Sequence, residues 1–184
     1  MIGLPFEKDE DIQAISDFVK EIIEAARQTL DAGKFRRFNL NISVNAFIPK
    51  PFTAFQWEGQ ENALQLAGKF KLLKDLLPKK NVTLSYADIN KSMIEGAFSR
   101  GDEKLADVLE EAFIKGAKFD NWSEIFNFSI WENAFKSKNI SLELYSSRKI
   151  ELDEALPWDF IDIKVKKDFL VSEYLKAEEI VKKH

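Results

Sequence analysis

The sequence predicts an α/β protein: parallel strands joined by helices up to about residue 86, then a mostly helical stretch from residue 87 to residue 184. Three observations predict it. Polar and apolar residues alternate strictly from Phe38 to Ala46. Apolar residues at helical spacing flank that alternation on both sides. The resulting order of strand, helix, strand, helix, strand implies parallel pairing through right-handed crossovers.

Met1 to Leu4 reads as the end of a strand, and Pro5 as a turn. Glu7, Asp9, Glu10 and Asp11 follow, placed where carboxylates favour the positive end of a helix dipole. Ile12, Ile15, Val19, Ile22, Ile23, Ala26 and Leu30 form one apolar stripe, which Gly33 is expected to close. In the alternating strand, Phe38, Leu40, Ile42 and Val44 point one way, and Asn39, Asn41, Ser43 and Asn45 the other. A parallel sheet covered by helices is normally apolar on both faces. The amide row is therefore either a barrel interior lining a ligand cavity or an edge strand facing water, and the pattern weighs these equally. Ile48 to Trp57 leaves the strand at its C-terminal end, where α/β folds place their sites, and Lys50 is its candidate charge contact. Phe52, Phe55 and Trp57 read as a packed aromatic loop. Leu64, Ala67, Phe70, Leu73 and Leu77 mark the next helix, stopped by Pro78, and Val82, Leu84 and Tyr86 the next strand.

Beyond residue 86 the pattern changes. A helix over Asp88 to Phe98 breaks at Arg100-Gly101-Asp102, and a second carries Leu105, Val108, Leu109, Ala112 and Phe113 up to Lys115-Gly116. Ser129 and Glu132 have capping-box spacing before a short helix with Trp131 and Phe135. Residues 140 to 165 read as irregular with short extended pieces, and Leu170, Tyr174, Ala177 and Val181 as a last helix.

Composition narrows the function classes. The formal net charge of -4 gives no general attraction to nucleic acid or an anionic membrane. With no cysteine, the 184 residues hold no disulfide and no thiolate-bound zinc or iron. The single histidine is His184, expected to be a solvated terminus, so a Ser-His pair is not expected. No apolar run is long enough for a bilayer, and the acidic start does not resemble a signal peptide, so a cytoplasmic address is expected. Gly3, Gly33, Gly59 and Gly68 are isolated, so no phosphate loop forms. The acid pairs Asp120 with Glu124 and Asp159 with Asp162 are candidates for acid/base work, as in a carboxylate-only hydrolase. Beside tryptophans in short irregular stretches, they read first as groups that bond backbone amides.

Several stretches together carry a resemblance. Met1-Ile2-Gly3-Leu4-Pro5 with Glu7 resembles the strand and turn of radical S-adenosylmethionine proteins, with Phe6 and Lys8 where that family usually has threonines. Asn41 to Val44, Ile48-Pro49-Lys50-Pro51 and Phe55-Gln56-Trp57 look like the next barrel strand and loop of the subgroup with an N-terminal cobalamin-binding domain. Ser99 to Asp102, Gly116 to Asp120, Trp122-Ser123-Glu124, Leu156 to Asp159 and Ile161-Asp162 are similar to that subgroup's C-terminal extension. Phe52 and Ile125 stand where the subgroup usually has histidine.

The resemblance implies the C-terminal part of a partial (β/α) barrel over residues 1–86, then the extension over 87–184. It implies S-adenosylmethionine and a four-iron cluster for the full-length family and no cofactor for this chain alone, because the family's CxxxCxxC loop lies upstream of the matched segment. Gly3, Pro5 and Glu7 would border S-adenosylmethionine, and Asn39, Asn41, Asn45 and Lys50 the substrate, with no catalytic residue and no metal ligand in this chain. The implied state is a fragment or split part that is inactive alone, and translation restarting at Met1 would account for it. The alternative is a non-catalytic module docking on a separate chain that carries the cluster. Either way an open strand edge favours pairing or self-association.

Overall fold

The computed structural model describes residues 1–183. His184, and with it the reading of a solvated terminus, lies outside the described residues. The chain is a helix-rich α/β protein whose sheet has two parallel strands. Among the described residues, no helix is long and apolar enough to cross a membrane. Contacts divide the chain into two units, one of residues 1–47 and 63–89, the other of residues 48–62 and the chain from Asn90 on.

The first unit contains α1 (Asp9–Thr29), α2 (Ala32–Arg37), β1 (Leu40–Val44), α3 (Ala63–Leu76) and β2 (Val82–Tyr86). Asp9, Glu10 and Asp11 occupy the first turn of α1, and the Lys8 N–H donates to the Asp11 carboxylate at 2.8 Å. The buried face is Ile12, Ser16, Val19 and Ile23, and each apolar side chain removed from water contributes about 1.5–3 kcal/mol. Ser16 is tolerated there because its hydroxyl donates to the Leu76 carbonyl at 2.9 Å, tying α1 to the end of α3. Gly33 does not close α1. The helix ends at Thr29, and Gly33 lies inside α2, where the Asp31 side chain accepts from the Lys34 N–H. The α3 seam runs through Leu66, Phe70, Leu73 and Leu77, whereas Leu64 is 83% exposed. The apolar run starting at Leu64 fits two helical registers, and packing selects the one that presents Leu66.

β1 and β2 pair in register from Leu40 with Val82 to Val44 with Tyr86. The Asn81 backbone, at φ 65°, and its side-chain amide bond back to Leu40 and Phe38, which sets that register. Ile2, fully buried, pairs in parallel with Ala46 on the other side of β1.

In the second unit, α4 (Ile89–Arg100), α5 (Leu105–Ile114) and α6 (Phe128–Ser137) supply a core of Ile94, Ala97, Leu105, Val108, Ala112 and Phe135. Phe98 meets Trp131 edge-on at 5.6 Å. Gly116, at φ +100°, ends α5: its N–H bonds the Phe113 carbonyl and the Ala117 N–H bonds that of Ala112. The cap of α6 is Asn127, not Ser129. The Asn127 side chain accepts from both the N–H and the hydroxyl of Ser129, which lies in the first turn. Residues 140 to 165 hold no strand; they contain a short helix, α7 (Leu142–Ser147), and turns. The last helix is α8 (Lys167–Lys182). The loop 48–62 packs here through fully buried Trp57, whose carbonyl accepts from Ile150 N–H at 2.7 Å. Gly59 is required, because a Cβ there would sit 1.9 Å from the Ser147 carbonyl oxygen.

Candidate functional site

Within the first unit, Ile2, β1 and β2 run parallel, and the Gly3–Glu7 turn leaves Ile2 at the C-terminal end of its pairing. Gly3 has φ 77°, which glycine adopts without strain. Its N–H donates to Glu7 Oε1 at 2.8 Å, and Lys69 Nζ approaches the same oxygen at 2.7 Å. The Glu7 side chain is only 5% exposed, so this carboxylate braces the turn from inside. Pro5 lies between them in the turn, and Phe6 follows at φ 68°, a left-handed conformation costly for a residue with a Cβ.

The amide row forms as the alternation predicts. Asn39, Asn41, Ser43 and Asn45 are exposed on one face while Val44 and Ala46 are buried on the other. β2 extends this face, because Asn41 pairs with Thr83 and Ser43 with Ser85. Asn39 Nδ2 donates to Asn41 Oδ1 at 2.9 Å and to Thr83 Oγ1 at 2.8 Å. Amides and hydroxyls on a twisted parallel sheet can accept and donate to a polar ligand, and none of them titrates near neutral pH.

The structure groups Lys50 with the second unit. Its ammonium bonds Glu95 Oε1 at 2.6 Å and Ser99 Oγ at 2.8 Å. Phe52, Phe55 and Trp57 pack as a loop, and the buried Gln56 Oε1 accepts from Phe52 N–H and from Trp158 Nε1. The acids have separate local partners. Asp120 accepts from the Trp131 indole at 3.0 Å, Asp159 from Leu156 N–H and Lys167, and Asp162 from Lys164 N–H. Glu124 is exposed.

Two polar clusters escape the sequence patterns. In one, Lys149 Nζ reaches Glu58 Oε1 and the Tyr174 hydroxyl, each at 2.8 Å, and that hydroxyl donates to the same carboxylate. Burial lowers the affinity of Lys149 for its proton, but Glu58 and Tyr174 outweigh it and hold the ammonium above its usual range. In the other, Tyr145 donates to Asp102 Oδ1 at 2.9 Å, and burial, helped by Asp102, pushes its phenol up to about 12. A phenol raised in the folded state stabilises the fold fully below the unfolded value of 10.0, and that contribution is lost as pH rises toward about 12. Unfolding free energy is therefore expected to fall across that window. The Tyr145→Phe variant should fall less steeply in urea titrations run at matched pH values, and parallel curves would refute the assignment.

The residues present do not fit a four-iron cluster. The sequence has no cysteine, and no group of three or more His, Asp or Glu among the described residues is placed to hold a metal ion. At the turn, the Gly3 N–H is committed to Glu7.

No protein-family model matches the chain, and no solved structure matches it. The chain is 32% identical over 110 residues to an uncharacterized protein of Methanocaldococcus jannaschii. The shared segment is 60% of this chain but 22% of that relative, so the chain spans about a fifth of the length of the curated relative it matches.

Proposed function

We propose that this chain is the rear βα portion of a radical S-adenosylmethionine barrel of the cobalamin-binding subgroup, with that subgroup's extension, and is inactive alone. The observation that carries the reading is the run of three parallel segments, Ile2, β1 and β2, with the Gly3–Glu7 turn at one C-terminal end and an uncovered amide face beside it. A parallel sheet is rarely left uncovered on a polar face, whereas a polar inner wall suits a barrel that encloses a ligand. The length of the relative agrees, since the shared segment is a minor part of that protein.

In this reading Gly3, Pro5 and Glu7 border S-adenosylmethionine through the backbone of the turn they shape. Asn39, Asn41 and Asn45 border the substrate, whereas Lys50, bonded to Glu95 and Ser99 in the other unit, is left out of this reading. The iron chemistry belongs to a cysteine-bearing part outside this chain. Sequencing the DNA upstream of Met1 and in the adjacent genes tests the reading. A CxxxCxxC loop encoded there, in frame or as a remnant, is the expected result, and its absence from every frame would overturn it. The chain alone, treated anaerobically with iron and sulfide, is expected to show no cluster absorbance.

A second reading, a non-catalytic subunit docking on a cluster-bearing chain, is favoured by β2. Among the described residues this strand pairs only with β1, so its outer edge is open. Size exclusion with light scattering checks it. Self-association is expected, and a stable monomer at high concentration would rule out an adhesive edge.

A further inference from the structure

Arg100, at the end of α4, is 4% exposed. Its guanidinium donates through Nη1 to the carbonyls of Tyr145 and Ser146, at 3.0 and 2.9 Å, and through Nη2 to that of Arg148. These partners are neutral dipoles. Among the described residues no carboxylate hydrogen-bonds the cation, and its Nε has no hydrogen-bond partner. Beside it, Gln60 N–H donates to the same Ser146 carbonyl, and the buried Gln60 amide is unpaired at both Oε1 and Nε2. Gly96, one helical turn before Arg100, leaves room for that amide, because a Cβ there would lie 2.3 Å from Gln60 Oε1.

A cavity of about 180 Å³ adjoins this cluster, lined by Arg100, Arg148, Tyr145, Asp102, Ile150 and Pro157. Arg148 presents a second guanidinium, with Nη1 and Nη2 on the Glu154 carboxylate. The Asp102 carboxylate on the wall already accepts, at Oδ1, from the Tyr145 hydroxyl and the Lys104 N–H. Arg100 is held down to about 10, first by burial and then by the like charge of Arg148, while the Glu58 carboxylate acts in the opposite direction. Burying a cation that no carboxylate hydrogen-bonds is costly, and guanidinium forks match the oxygens of carboxylates and phosphates.

We propose that this cavity binds a small oxyanion, the phosphoryl or carboxylate group of a ligand, between the guanidiniums of Arg100 and Arg148. The site lies wholly within the second unit and does not depend on the reading of the first.

The test titrates the full chain with sodium phosphate and, separately, sodium acetate, at ionic strength held constant with sodium chloride. Binding is followed by calorimetry and by thermal shift. Saturable binding with a rise in Tm is expected for at least one anion. Phosphate alone would mark a phosphoryl ligand, acetate alone a carboxylate ligand, and both an unselective oxyanion site. Arg148→Gln, which keeps the carbonyl contacts of Arg100, is expected to weaken binding about tenfold or more. Failure of both anions to saturate would overturn the proposal, and so would equal affinity in Arg148→Gln.

Discussion

Glu7→Ala is expected to lower the unfolding free energy by about 1–3 kcal/mol, because it removes a buried carboxylate that both the Lys69 ammonium and the Gly3 N–H bond. The side chains of Lys69 and Glu7 are only 13% and 5% exposed, so water screens this pair little. The same substitution frees the Gly3 N–H, which loses its 2.8 Å acceptor. Urea unfolding of the two proteins measures the loss. A loss below about 1 kcal/mol would place the pair among solvent-screened surface bridges. Glu7 would then be available to face a ligand.

Arg100→Met is expected to cost about 2–4 kcal/mol, since it strips the donors from the Tyr145, Ser146 and Arg148 carbonyls. Thermal and urea midpoints should both fall. Arg100→Lys should recover little, because an ammonium on a flexible stem cannot reproduce the planar fork that serves these oxygens. Full recovery by lysine would show that charge, and not fork geometry, holds the α7 end in place.

Elements with strong periodicity were legible in the sequence. The alternation at Asn39 to Asn45 gives β1 and its exposed amide row, and Lys115-Gly116 marks the end of α5. Signals that depend on choosing between equivalent registers were not. Leu64 and Leu66 are both apolar, Ser129 and Asn127 can both cap, and only packing and backbone geometry decide between them. α7 is shorter than two turns, too short for a period to register. Polar burial was the least visible. The Lys149–Glu58 bond joins residues 91 positions apart and the Tyr174–Glu58 bond residues 116 apart, and neither spacing leaves a local trace. Arg100 reads as a helix-ending charge, yet its side chain turns inward because the carbonyls around α7 point toward it.

The chain passes between its two units more than once, since residues 48–62 leave the first and return to it at Ala63. A polypeptide starting at Asn90 would lack Trp57, Gln56 and Gln60. The Trp158 indole would then lose its acceptor, and the interior now filled by Trp57 would be a void. One cut therefore cannot excise either part whole. A fragment starting at Asn90 is therefore expected to be less stable than the same residues within the full chain.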